Sequence, residues 1–354
     1  MTSALALAPL VLEPRLTSAI WGGSTLVRDF GKPGDPTAKV GESWECFDEN
    51  VVAEGAYAGR TLGELRARLG AALLGPLDAQ RAFPLLTKFI DAHDALSVQV
   101  HPDDAYAQRV EGQPNGKTEC WYVLDAEPGA SIVLGWTRAT SRAEYLERVA
   151  EGTLDELLRS VAVHPGDSFY LPAGTLHAIG RGIVIYETQQ TSDLTYRIYD
   201  YGRLDAAGKP RELHVQKAAD VLDYRAARGG ALQHLTYELD GLRRTTLVAG
   251  HSFVVERVEA HGAASGLDLE GLPLVITTLD RAVELEAHGE RTVLAPYRTA
   301  VVPAALDVVM LRAAAGEHAR VLTASPAAGA HALPPRYARA GVPVGRSTDF
   351  LAQF

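Results

Sequence analysis

The sequence predicts a mainly β protein of the sandwich or barrel type. Three observations carry this: most of the chain falls into short apolar or alternating runs, Gly, Pro and Asp punctuate those runs, and helical periodicity is confined to a few places. The strand-like runs are 95–101, 120–124, 131–135, 168–171, 182–187, 252–258 and 274–278. One helix is predicted over 61–74 (TLGELRARLGAALL), where apolar residues recur at helical spacing until Gly75 and Pro76 stop it. Ser141 precedes Glu144 by three residues, and Thr153 stands in the same relation to Glu156. These two capping boxes predict a helix pair at 141–151 and 153–160, just before the segment HPGDSFYLPAGTLHAIG.

Composition narrows the function. With 354 residues, 47% of them hydrophobic, the chain can bury the core of one large β-rich domain or of two smaller ones. Lys and Arg total 34 against 44 Asp and Glu. The net charge of −10 repels nucleic acid and anionic membranes, which points to small-molecule partners. The two cysteines, Cys46 and Cys120, form no CxxC motif, so neither a disulfide framework nor a thiolate zinc knuckle is expected. No apolar run approaches the ~20 residues of a membrane span. The N-terminal apolar run lacks a basic leader and is broken by Pro9, Glu13 and Pro14, which argues against a signal peptide. A cytoplasmic protein is the expectation.

A boundary is expected near 225–232, where a helix-like stretch passes through Gly229 and Gly230 into new strands. In the second part, TVLAPYRTAVVPAAL echoes DSFYLPAG of the first, but no histidine follows Pro303 and Ala304. The echo predicts a duplicated barrel: residues 1–225 with the metal-binding, catalytic copy, 226–330 with a copy that has no metal, and 331–354 as a tail that wraps or frays.

Gln99 and His101 in LSVQVHP are two apart, so on a strand they share one face while Val98 and Val100 take the other. Glu119 opens the apolar run WYVL, where an unpaired carboxylate is costly to bury and a metal ion would remove the cost. His177 follows LPAGT, a Pro and Gly turn that fixes the angle at which the next side chains emerge. The spacing of Gly166, Pro172, Gly174 and His177 resembles the second cupin motif. His101 with Glu119 resembles the first, Gln99 standing where its first histidine usually is. The stretch 186–203 (YETQQTSDLTYRIYDYGR) is rich in Gln, Thr and Tyr, as a polyol-binding surface would be. Arg197 offers a planar cationic fork for a phosphate, and Lys117, two residues before Glu119, would add a second cation on the same strand face.

Together LSVQVHP, GKTECWYVL, LPAGTLHAIG and ETQQTSDLTYRIYDYGR resemble the class I mannose-6-phosphate isomerase family, as do AIWGG, GESWE, PLLTKFIDAHDALSVQVHP and RELHVQKAADVL. The likeness covers roughly residues 15–325. It implies duplicated double-stranded β-helix (cupin) barrels and one Zn²⁺ per chain held by Gln99, His101, Glu119 and His177. It also implies Arg197 as the active-site arginine, Ser97 and Lys117 near the sugar or phosphate, and Trp21 at the mouth. The chain lacks the large helical insertion of longer members, since only the 141–160 pair stands there.

The resemblance implies interconversion of mannose 6-phosphate and fructose 6-phosphate through an enediol. For the proton shuttle, Glu187 is the leading candidate because desolvation would raise its pKa. His93, Asp193, Lys117 and a metal-bound water are alternatives. Two other classes compete: a metal-dependent cupin oxygenase, which would carry a histidine-rich ligand set and have no use for the Lys117 and Arg197 cations, and a sugar-phosphate-binding cupin without turnover.

Overall fold

The computed structural model describes residues 7–354 except 205–207, 228 and 315–317. In chain order its strands are β1 (Leu10–Leu12), β2 (Arg15–Thr17), β3 (Glu42–Cys46), β4 (Leu85–Ala92), β5 (Val98–Val100), β6 (Glu119–Ala126), β7 (Ser131–Trp136), β8 (Leu158–Ala162), β9 (Ser168–Leu171), β10 (His177–Ala178), β11 (Ile183–Gln190) and β12 (Tyr196–Tyr199), then β13 (Leu235–Leu239), β14 (Leu242–Ala249), β15 (Phe253–Ala260), β16 (Ser265–Asp268), β17 (Leu274–Thr278), β18 (Val283–Ala287), β19 (Glu290–Leu294), β20 (Thr299–Val302), β21 (Val308–Ala313) and β22 (Ala319–Pro326). The protein is mainly β, as the short punctuated runs predict. No helix among the described residues is long and apolar enough to cross a membrane.

Four antiparallel sheets form two facing pairs. In the first half the sheet β2-β3-β4-β11-β6-β9 faces the sheet β12-β5-β10-β7-β8, and in the second half β1-β20-β17-β22-β15-β14-β13 faces β16-β21-β18-β19. Within these, β4-β11-β6-β9 and β5-β10-β7-β8 recur strand for strand as β15-β22-β17-β20 and β16-β21-β18-β19. β1 joins the two halves: Leu12 bridges Val52, and the strand pairs with β20, Leu10 opposite Val301 and Leu12 opposite Thr299.

Side-chain alternation puts one apolar set inside each pair of sheets and another between the two halves. Inside the first lie Ile90, Trp121, Val123, Phe169 and Ile185; inside the second, Val258, Ile276, Leu285, Val302 and Leu311. Phe89, Tyr186, Phe253, Val275 and Leu322 belong to the layer where the two large sheets meet. That layer also holds a polar chain: the Tyr186 hydroxyl meets Thr277 Oγ1 at 2.8 Å, and Thr277 meets Thr299 at 2.8 Å. Cys46 and Cys120 are buried and free.

The helices depart from expectation in two places. The predicted helix over 61–74 is two pieces, Leu62–Leu69 and Ala71–Leu74, because Gly70 takes a left-handed φ of 51° between them. The Thr61 and Glu64 side chains close a reciprocal capping box at its start. Of the pair at 141–160, only Arg142–Glu151 is an α-helix, capped by the Ser141 hydroxyl. Thr153 makes no side-chain cap; Leu154–Leu157 is a 3-10 turn, and the chain then enters β8, which pairs with β7. Sheet pairing outweighs the local helical signal there. Tyr145, Leu154 and Leu157 pack with Val98 and Val100, which covers the outer face of the five-stranded sheet and leaves its inner face for the site. The tail does not fray: helices Leu333–Arg339 and Val344–Leu351 seat Leu333, Tyr337 and Phe350 against Leu235, Tyr237 and Val254.

Candidate metal centre and substrate cavity

The site lies on the inner face of the first pair of sheets. On β10, β5 and β12 the residues His177, Gln99 and Arg197 stand in one row, each opposite the next. On the facing sheet Glu119 opens β6 opposite Gln189, and two residues further in, Lys88, Glu187 and Trp121 form a row across β4, β11 and β6. Lys117 lies just before β6 rather than on it, yet its Nζ reaches Glu119 Oε2 at 3.0 Å. The turn ahead of His177 requires its glycine. Gly174 has φ +86°, and a Cβ there would stand 2.9 Å from the Val221 carbonyl oxygen.

His101, Glu119 and His177 place one ligand-type atom each within 4.8 Å of one another, and all three are buried. Both imidazoles are oriented from behind. His101 Nδ1 lies 2.8 Å from the Leu194 carbonyl and His177 Nδ1 lies 2.8 Å from the Thr175 carbonyl, so each donates Nδ1–H and turns a bare Nε2 inward. Those Nε2 atoms lie 3.4 and 3.2 Å from the two Glu119 oxygens. His101 Nε2 and both Glu119 oxygens are buried without a hydrogen-bond partner among the described residues. Burial, then the nearby Lys117 charge, pushes the His101 imidazolium pKa down to about 3, and burial lowers that of His177. Burial works against ionisation of Glu119, but Lys117 and the two histidines hold its pKa well below the usual carboxylate range. Two neutral imidazoles and a carboxylate turned towards one another, with His101 Nε2 and both Glu119 oxygens unpartnered, fit a divalent cation. Gln99 adjoins them, its Nε2 3.3 Å from His177 Nε2.

Beside this cluster is a cavity of about 330 Å³, lined by Trp21, Ser97, Gln99, Lys117, Glu187 and Arg197 among others. This is within the usual size range of small-molecule sites. The arginine is held by Ser97 Oγ at 3.3 Å from Nε and by the Glu212 carbonyl at 3.0 Å from Nη1. Glu187 accepts from Trp121 Nε1 at 2.9 Å and lies 3.3 Å from Lys88 Nζ. Burial and the Glu119 charge raise its pKa. Of the other residues considered as bases, Asp193 is exposed at the cavity wall, whereas His93 is exposed and does not line it.

The cavity also contains residues that sequence reasoning passed over: Glu42, Lys88, Thr195, Arg211 and His214. Lys88 carried a readable signal, since it is the one charged residue in the apolar run LLTKFI, and every residue of β4 is buried. A lysine there must have partners. It has Glu187 and, at 3.6 Å, Glu42.

Residues 10–130 match the family model described as phosphomannose isomerase type I, catalytic domain. The chain is 44% identical over 261 residues to the mannose-6-phosphate isomerase ManA of Bacillus subtilis, an overlap of 73% of this chain and 81% of that protein. It is also 44% identical over 259 residues to the mannose-6-phosphate isomerase of Streptococcus mutans, over 72% and 80% of the two chains. Among solved structures, the mannose 6-phosphate isomerase from Bacillus subtilis superposes with a TM-score of 0.82 at 33% identity, covering 90% of this chain and 99% of that one. The chain belongs to the mannose-6-phosphate isomerase family.

Proposed function

We propose that this protein interconverts mannose 6-phosphate and fructose 6-phosphate, using one Zn²⁺ held by His101, Glu119, His177 and the amide oxygen of Gln99. The observation that carries the reading is the set of buried, unsatisfied ligand atoms on His101 and Glu119 beside a polar cavity. The ligand set has no thiolate, which suits Zn²⁺ and tolerates Mn²⁺, Co²⁺ or Fe²⁺. When bound, the ion supplies Lewis acidity at the sugar oxygens on carbons 1 and 2.

The remaining chemistry belongs to the chain. Glu187, with its raised pKa, takes and returns the proton that moves between carbon 2 and carbon 1. Trp121 Nε1 fixes the carboxylate's orientation, leaving the Lys88 side as the one that exchanges protons. Lys117 offsets the Glu119 charge, and Arg197 with Ser97 receives the phosphate. Trp21, buried at the wall, excludes water from the sugar ring. In this reading residues 1–225 carry the metal and the chemistry, 226–330 form a duplicated barrel without metal, and 331–354 brace that second barrel.

The test is a coupled assay of mannose 6-phosphate conversion before chelation, after chelation and after zinc is added back, with oxygen uptake followed in parallel. Conversion lost on chelation and restored by zinc is the expected result. Tight binding of the sugar phosphate without turnover would overturn the isomerase reading, and oxygen uptake would replace it with an oxygenase.

A further inference from the structure

At the cavity end away from Lys88 and Glu187, a second arginine accompanies Arg197. Arg211 lines the cavity there with Arg197, Ser97, Thr195 and His214. Like charges at close range repel, and the Arg211 charge lowers the Arg197 pKa, after burial itself. Such an arrangement persists only if something holds it. That group is Asp200, buried at 5% exposure. Its carboxylate accepts from Arg211 Nε at 2.7 Å and also from Nη2, the fork-to-fork geometry of a bidentate pair, which leaves Nη1 outside the pair. The same carboxylate accepts from Arg203 Nη2 at 2.5 Å, and Arg203 Nη1 donates to the Ala95 carbonyl at 2.5 Å, just ahead of Ser97. An antiparallel bridge between Leu204 and Pro210 closes the loop that brings Arg211 back. One buried carboxylate thereby ties Arg203 and Arg211 together, and Arg203 anchors them to the segment that leads through Ser97 into β5.

We infer that Asp200 is a positioning residue that sets Arg211 beside Arg197, so that the two guanidinium groups clamp a dianionic phosphoryl group. This rests on the sugar-phosphate reading above and deepens it, since a site with one arginine would select poorly for the doubly charged form. A phosphate monoester carries close to two negative charges at neutral pH, and each arginine answers one of them. Asp200 itself does not touch the ligand. Its charge is shared between Arg203 and Arg211, so the cavity keeps net positive potential at this end.

The experiment uses the full chain and three variants, Arg211→Ala, Arg211→Lys and Asp200→Asn. Steady-state kinetics on mannose 6-phosphate are read together with calorimetric titration of inorganic phosphate. Arg211→Ala should raise KM about 10- to 100-fold, the size of a lost charge-assisted hydrogen bond, with kcat nearly unchanged. It should weaken phosphate binding by a similar factor. Arg211→Lys should recover part of both losses, since it restores charge without the fork. Asp200→Asn should reproduce the KM effect although it changes no atom in the cavity, which separates positioning from contact. Unchanged KM and unchanged phosphate binding in Arg211→Ala would overturn the inference while leaving the isomerase reading in place. A fall in kcat with constant KM would equally overturn it, because that pattern reports chemistry rather than phosphate capture. If the wild-type chain converts no mannose 6-phosphate, the isomerase reading fails, and the phosphate titration alone still decides whether Arg211 belongs to an anion clamp. The Arg211 side chain is 21% exposed, so its alanine variant is expected to fold even if Asp200→Asn does not, and circular dichroism checks this.

Discussion

The two halves present the same strand order but opposite interiors. Ladder pairing lets them be matched residue by residue: Leu85 lies opposite Gln190 as Phe253 lies opposite Pro326, so Lys88 and Glu187 in the first half correspond to Glu256 and Thr323 in the second. By the same count Glu119, opposite Leu171, corresponds to Leu274, opposite Val302. In the first half this end is a cavity of about 330 Å³ beside His101 Nε2 and Glu119 oxygens that lack hydrogen-bond partners among the described residues; in the second it shrinks to about 20 Å³. The difference comes from the C-terminal helix Leu333–Arg339. Its Arg336 reaches in to Glu256 at 2.8 Å, where Arg244 at 2.6 Å and the Tyr237 hydroxyl at 2.7 Å already converge. One end leaves the His101 and Glu119 ligand atoms unpartnered among the described residues, and the other pairs its buried Glu256 carboxylate with arginines of its own chain. A scaffold of this kind separates function from stability by which mouth is filled.

The largest expected break in that symmetry is at the matched pair Glu119 and Leu274. Glu119→Gln should cut kcat about a thousandfold, the several kcal/mol that a Lewis acid contributes, with a parallel loss of bound metal by elemental analysis. Leu274→Ala should leave kcat within about twofold, because the site is remote and shares no partner with it. Equal losses would mean that the second half takes part in the chemistry.

Next in size is the acid response of the sealed mouth. Burial opposes ionisation of Glu256, but Arg244 and Arg336 hold its pKa down at about 2. Because the folded-state value lies below the unfolded one, the stabilisation is fully present above about pH 4.5 and disappears as pH falls towards 2. It amounts to about 3 kcal/mol at neutral pH as an order of magnitude. Denaturant unfolding of wild type and Glu256→Gln between pH 7 and 3 checks it: the variant should start lower and lose less on acidification. A parallel decline in both would assign the acid response to other groups.

A core truncation in the second half, Leu285→Ala, should cost about 2–4 kcal/mol in the same unfolding measurement while native-state turnover is kept. The smallest effect belongs to the seam between the halves. Thr277→Val removes the hydroxyl shared by Tyr186 and Thr299 and should cost about 1 kcal/mol, with no change in KM. A changed KM would show that the seam transmits strain to the cavity.

What could be read in the sequence follows from how local each signal is. Gln99 and His101 were legible because a spacing of two on a strand defines a face, and His177 because LPAGT fixes its own geometry through Gly174. The β character and most strand positions were legible for the same reason. Arg211 was not, since it owes its place to Asp200 and to a loop closure, and nothing in RELHV states which way the chain returns. Lys88 left a signal as the charge in LLTKFI, but its partners Glu42 and Glu187 come from other strands. The plug at Arg336 was hidden similarly: ALPPRYARAG reads as a Pro-rich end, and only the buried Glu256 gives its guanidinium a destination. The false helix over 153–160 shows the converse. A local capping signal was clear there, and tertiary pairing with β7 overrode it.

The placement of β1 has a consequence for how the chain is made. Leu10–Leu12 is synthesised long before its partner β20, about 290 residues further along the chain. The edge of β1 that meets β20 therefore stays unpaired until residues 299–302 have been made, and the contact between the halves closes late in folding. β1 thus acts as a latch that engages only once the second half has been made.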